Sequence, residues 1–483
     1  MNRRSRRGRS RSLSDLVPVL AAVITAAVVV VVGLFVLGSG SDADARAMLE
    51  AEFDGAYPAF PTPSGNVVEV DVTAAPATIE VVEGLDTQVW AFNGVVPGEV
   101  HWVTLGDTFR MNFRNELPVE TTVHWHGVRV PNAMDGVPGI TQPAIQPGES
   151  FTYEFTPPDA GTFFYHSHVN STEQVERGLY GTLVVEDAES VGYSQDVVMV
   201  MDDWSLTPTG AIDTDFNNPT DVSHNGRWGS VITVNGEDEA QLTARPGERV
   251  RLRFVNASVA RPYALRFVNP PAQVIAIDGM YVREPRSADA TLISPGARVD
   301  VDITMPDTPG TFEIVEDFST RAVRLVTVVV DGGPVDTPDF AAPRNGRIPE
   351  WVEAVDVDVD IEYKLALTGS RWTINGDSFP IFEAEQIEPD VFTKVRFTNN
   401  SIRLHPMHLH GQFFQVLARN GEPVNDGAFR DSVLLFKDDV VDVGLVALDA
   451  GMWAMHCHIL EHAAGGMMTF LEVAAREPVE ASS

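Results

Sequence analysis

The stretch His456-Cys457-His458-Ile459-Leu460-Glu461-His462-Ala463-Ala464-Gly465-Gly466-Met467 holds the only cysteine of this 483-residue chain, with a histidine on each side of it. In a β-strand successive side chains point to opposite faces, so His456 and His458 look one way and Cys457 the other. One strand then serves two metal sites, joined covalently through the cysteine backbone. His462 and Met467 follow at distances that let the chain turn back onto the sulfur. Thiolate, imidazole and a weak thioether are the ligands of an electron-transfer copper site, which requires one further histidine. A single cysteine rules out an intramolecular disulfide, and in an exported chain a lone cysteine points to metal binding or catalysis.

Three more His-x-His pairs occur, at His124-Trp125-His126, His166-Ser167-His168 and His408-Leu409-His410. On a strand each pair sets both rings on one face. A solitary pair is more often a hydrogen-bonded structural feature than a ligand set, but four pairs take eight of the 12 histidines. His405 lies three residues ahead of His408, so it faces away from that pair and towards Cys457. It completes a set with Cys457, His462 and Met467, and leaves only His101 and His224 unassigned. Eight converging imidazoles suit two or three copper or iron ions, and imidazole also binds zinc. Zinc does not account for the separate thiolate set, whereas copper accounts for both.

The elements that carry these residues read as β throughout. From Val67 onward, short runs of Val, Thr and Phe alternate with Gly, Pro and Asn-Gly turns. The chain also repeats itself. Asn93-Gly94, Asn235-Gly236 and Asn375-Gly376 are each followed by a strand-like phrase ending in Asn115, Asn256 or Asn399. A third phrase recurs as Asp159-Ala160-Gly161 leading to His166-Ser167-His168, and as Asp449-Ala450-Gly451 leading to His456-Cys457-His458. Its middle counterpart ends in Val315-Glu316-Asp317, which has no ligands. Three copies of one β-sandwich follow, at 65–190, 191–340 and 341–476. Ser167 replaces the thiolate in the first copy, so only the third builds a sulfur site, and the first and third share the histidine-only site.

Net charge is -34, which disfavours nucleic acid as a partner. Six arginines within residues 1–15 precede an apolar run from Leu16 to Leu37. That run is long enough to span a bilayer, with the basic arm in the cytoplasm and the remainder outside. The expectation is a basic cytoplasmic arm (1–15), a transmembrane anchor (16–38) and a linker (39–64), giving a single-pass membrane protein with an extracytoplasmic body. The alternative is secretion after signal cleavage.

The phrases His-Trp-His-Gly (124–127), His-Ser-His (166–168), His-Pro-Met-His-Leu-His-Gly (405–411) and the terminal stretch resemble the copper-binding motifs of the multicopper oxidases. That family includes laccases, bilirubin oxidases and bacterial copper-efflux oxidases, and the likeness runs from about Val67 to Val473. It implies an all-β fold of three consecutive cupredoxin-like Greek-key β-sandwich domains, here preceded by one N-terminal transmembrane helix, and four copper ions. By the resemblance, type-1 copper is held by His405, Cys457 and His462 with Met467 as weak axial ligand, and type-2 copper by His124 and His408. The type-3 pair is held by His126, His166, His168, His410, His456 and His458. The implied reaction is one-electron oxidation of a phenol or aromatic amine at the type-1 site, transfer through Cys457, and four-electron reduction of O2 to water.

Asp135, in Met134-Asp135-Gly136, stands where similar enzymes have an acid beside the trinuclear site, and is expected to relay protons; the alternative is an ordinary Asp-Gly turn. The chain departs from several bacterial relatives in having Ala463, not glutamate, after His462. Methionines are absent between Met305 and Met407, where copper-efflux enzymes carry a methionine-rich insertion. The leading reading is therefore a laccase-like oxidase with a monomeric body, using a small reductant and O2. Its competitors are a Cu(I) or Mn(II) oxidase serving metal tolerance, and a copper-free envelope scaffold, which would be expected to have lost ligands.

Overall fold

Three Asn-Gly turns start the three copies in the same way. Asn93, Asn235 and Asn375 have φ of 51°, 55° and 54°, and the glycines after them 79°, 83° and 96°. Positive φ at both central residues is the hairpin geometry that matches strand twist, and asparagine followed by glycine adopts it at least cost. Each asparagine side chain also bonds the neighbouring strand. Oδ1 of Asn93, Asn235 and Asn375 accepts from the N–H of Thr73, Val200 and Lys364, and Nδ2 donates to the carbonyls of Asp71, Val198 and Glu362.

The computed structural model describes residues 42–53, 57, 60–267, 269–319 and 321–476. These residues form six sheets, two for each copy. Counted from its own first strand, the last copy repeats the strand order of the middle copy throughout, in a six-stranded and a five-stranded sheet. The first copy has the same plan with two four-stranded sheets. Alternating strand residues such as Phe109, Met111 and Phe113, or Leu252 and Phe254, are buried between the paired sheets.

The asparagines that end the second phrase form a recurrent clamp. Asn399 donates through Nδ2 to the carbonyls of Arg403 and Phe436, and its Oδ1 accepts from Ser401 N–H. Asn115 and Asn256 make the equivalent three bonds in their copies. In the last copy this clamp shapes the loop that delivers His405.

The expected basic arm and membrane anchor lie outside the described residues. Among the described residues no helix is long and apolar enough to cross a membrane. Within the stretch expected as a linker, Asp42–Phe53 is an α-helix. Leu49 and Phe53 are buried in a cluster with Trp351 and Phe429, and Arg46 pairs with Asp360 at 2.8 Å. Two apolar side chains four residues apart fall on one helix face, and that face is docked on the body.

Candidate metal centres

The strand His405–Leu409 lies between Ser432–Leu435 and Gly451–Cys457, in a register that sets Met407 opposite Cys457 and His408 opposite His456. Cys457 therefore projects from one face of this sheet with His405, while His408, His410, His456 and His458 project from the other. Beyond Cys457 the one-turn helix Leu460–Ala464 returns His462 to the sulfur. Sγ of Cys457 lies 3.5 Å from Nδ1 of His462 and 3.7 Å from Nδ1 of His405, and the two nitrogens are 3.1 Å apart. Met467 is buried in the hydrophobic core that includes Cys457, and its carbonyl accepts from Cys457 N–H at 3.1 Å.

Hydrogen bonds at the far side of each ring fix which nitrogen carries the lone pair. Nε2 of His462 donates to the carbonyl of His224 at 2.7 Å. Ser401 Oγ donates to Asn399 Oδ1, so it accepts from Nε2 of His405 at 2.8 Å. Both Nδ1 lone pairs are thus aimed at one another and at the sulfur, an arrangement that a cation between them stabilises. Burial and the neighbouring His462 hold His405 well below the ordinary histidine range, and burial takes His462 down to about 3. The rings are neutral ligands. Burial pushes the Cys457 thiol up, so the site favours a thiolate only with a cation present.

The other eight rings converge from the first and last copies. His124–His126 pairs with Gly161–His166, which sets His124 opposite His166. The ring of His126 stacks on His408 at 3.6 Å and that of His124 on His410 at 3.8 Å, so the two copies interlock. Three compact groups result: His124 with His126 and His408, His126 with His166 and His458, and His168 with His410 and His456. Nδ1 of His124, His166, His408 and His456 each faces a backbone carbonyl, at 2.7 to 3.0 Å. Their Nε2 lone pairs consequently point inward. Nε2 of His124, His166, His408 and His458 and Nδ1 of His126 are buried with no protein partner. Nε2 of His456 lies 3.2 Å from Nε2 of His410 and 3.4 Å from that of His168. Orphaned and opposed lone pairs in a dry site fit several imidazole-bound cations, and together with the thiol set they fit copper.

Two aspartates orient these rings. Asp135 accepts from Nδ1 of His410 at 2.9 Å and has its other oxygen 3.2 Å from Nδ1 of His124. Asp431 lies 3.2 Å from Nε2 of His126, and its backbone carbonyl faces Nδ1 of His408. Burial would raise Asp431, but Arg298, at 2.6 Å, and His408 hold it down to about 2. Ala463 lines a cavity of about 210 Å³ that reaches His166, His168 and His456 alongside Phe379, Leu460 and Met468. No acid enters this cavity from position 463.

His405, Cys457, His462, the eight paired histidines and Asp135 fall in these clusters, Met467 is buried in the hydrophobic core that contains Cys457, and Ser167 is hydrogen-bonded to Gln174 at 2.5 Å. Of the two unassigned histidines, His101 is buried against Tyr165, and His224 is exposed. Asp431, Arg298 and Ser401 escaped the sequence reading. Each belongs to no spaced motif, and only strand pairing brings it to the rings.

Models of the family described as multicopper oxidase match residues 73–190, 195–329 and 356–477. Multicopper oxidase MmcO of Mycobacterium tuberculosis is 30% identical over 476 residues, covering 89% of this chain and 92% of its own length. Laccase-2 of Botryotinia fuckeliana is 26% identical over 464 residues, 81% of this chain and 79% of that protein. The crystal structure of a multi-copper oxidase from Pseudomonas thermotolerans aligns with a TM-score of 0.77 at 32% identity, over 85% of this chain and 100% of that one.

Proposed function

This chain belongs to the multicopper oxidase family, and we propose that within it the protein is a laccase-like oxidase of phenols and aromatic amines. Membership implies four copper ions, a reductant and O2, and oxidase activity. His405, Cys457 and His462, with Met467 as weak fourth ligand, would hold the type-1 ion. His124 and His408 would hold the type-2 ion, and His126, His166 and His458 on one side and His168, His410 and His456 on the other the type-3 pair. Copper bound there supplies the one-electron steps and the affinity for dioxygen.

The observation that carries this reading is the link between the two clusters. Cys457 contributes its sulfur to one, and its two sequence neighbours contribute their rings to the other. A through-bond path therefore runs from the sulfur along the Cys457 backbone to both rings. The protein's share is geometric: carbonyls and carboxylates hold the rings, and burial excludes water. Asp135 touches both rings of the stacked His124–His410 pair, one from each copy, which supports its role in passing protons to the oxygen-reducing site. Dioxygen would approach through the cavity beside Ala463 and Met468. We also propose that residues 16–38 anchor the body outside the cytoplasm.

Absorption spectroscopy with copper counting, followed by steady-state rates on hydroquinone, cuprous ion and manganous ion, tests the proposal. An intense blue band, four coppers and fastest turnover of the phenol are expected. Faster turnover of either metal ion would overturn the substrate assignment in favour of a metal-ion oxidase.

A further inference from the structure

A segment of the middle copy lies across the thiol cluster of the last one. Trp372 Nε1 donates to the carbonyl of Val222 at 2.5 Å, Arg403 Nε to that of Ser223 at 3.0 Å, and Leu404 N–H to Asn225 Oδ1 at 3.0 Å. Arg227 N–H donates to Glu461 Oε1 at 3.1 Å. Gly226, at φ +72°, is seated so closely that a Cβ there would meet Ala260 Cβ at 2.4 Å and Ile459 Cγ2 at 2.7 Å. Beneath this strap His405, Cys457 and His462 are 0% exposed. An aromatic donor therefore has no access to the ring of His462.

One strap atom is bonded directly to a ring of the cluster: the carbonyl oxygen of His224, which accepts from Nε2 of His462 at 2.7 Å. The side chain of His224 is the only exposed one among the histidines, all of which are described. Its Nδ1 donates to the carbonyl of Thr220 at 2.8 Å, which leaves Nε2 as an outward acceptor. One residue thus presents a hydrogen-bond acceptor to solvent and a peptide bond to the buried centre.

We infer that donors dock on the exposed imidazole of His224, which accepts the phenol O–H or arylamine N–H, and that their electrons enter through the His224 carbonyl and its hydrogen bond to His462. This rests on the laccase-like reading and adds where the donor binds. Each phenol would lose one electron, conducted through the His224 carbonyl and the ring of His462 to the copper that His405, Cys457 and His462 would hold, and one proton to water by way of the imidazole, leaving a phenoxyl radical. Four donors supply the four electrons that reduce one dioxygen.

Diethyl pyrocarbonate acylates exposed imidazoles, so in copper-free protein it should place a single, hydroxylamine-reversible group on His224, located by mass spectrometry. Hydroquinone should slow that acylation. In the copper-loaded protein, anaerobic bleaching of the blue band by hydroquinone should slow about ten-fold after acylation or in His224→Ala, the loss of one hydrogen bond to the donor. Reoxidation by dioxygen should keep its rate. Bleaching indifferent to both changes, or acylation of His224 indifferent to hydroquinone, would overturn this inference alone. Unmodified loaded protein that hydroquinone cannot bleach would overturn the laccase-like reading, and this inference with it.

Discussion

Cys457 contributes the only sulfur of the cluster that it forms with His405 and His462, so under the proposed reading its replacement removes that centre and spares the rest. Cys457→Ser should lose the intense blue band and one of four copper ions, with donor oxidation abolished and a near-native circular dichroism spectrum. Asp135 acts differently, because it touches Nδ1 of His124 and of His410 and orients them for other atoms. Removing an orienting carboxylate weakens metal affinity about 10- to 100-fold, so Asp135→Ala should lose copper on dialysis against a chelator that leaves wild type loaded. Cys457 stood out in the sequence as the only one of its kind. Asp431, which serves His126 and His408 as Asp135 serves the other pair, did not, because a lone Arg-Asp-Ser carries no spacing to recognise.

The strands and turns place these residues through devices that occur once per copy. The asparagine clamp is clearest: Asn399 holds both ends of the loop from Ser401 to Arg403, and Ser401 in turn fixes the tautomer of His405. The repeated asparagine was visible in the sequence, but its side-chain bonds were not, since they close on carbonyls up to 37 residues away. Another element device is a buried acid on the strand Gln195–Trp204. Burial, with Asp203 beside it, raises Asp202 from its ordinary 3.8 to about 8, and Tyr180 donates to it at 2.5 Å. The folded protein thus keeps a proton that the unfolded chain releases. Stability falls as the pH climbs from about 4 towards about 8, the window between unfolded and folded values. Thermal midpoints measured across that range should decline less steeply in Asp202→Asn than in wild type.

The three copies are joined at the metal centres by buried charge. Arg298, from the middle copy, is 0% exposed and pairs with Asp431 of the last copy at 2.6 Å, while its Nε donates to the carbonyl of Thr162 in the first. Arg298→Met leaves the buried carboxylate of Asp431 without its cationic partner, at a cost of about 3–5 kcal/mol, and chemical denaturation should show that loss. The surface sets a longer-range effect. With a net charge of -34 the field attracts cationic donors and repels anionic ones. Bleaching by an aromatic diammonium donor should therefore slow as ionic strength rises, and bleaching by a sulfonated donor should quicken. What the chain disclosed before folding was periodic: alternation placed Cys457 and His456 on opposite faces, and self-similarity showed which copies kept ligands. Those features depend on backbone geometry that every strand shares. Which rings meet, which carboxylates orient them and which segment covers His462 depend on the approach of residues hundreds of positions apart. His224 is the plainest case: a histidine without a motif whose carbonyl, 238 residues from His462, closes the buried site because the middle copy packs over the last.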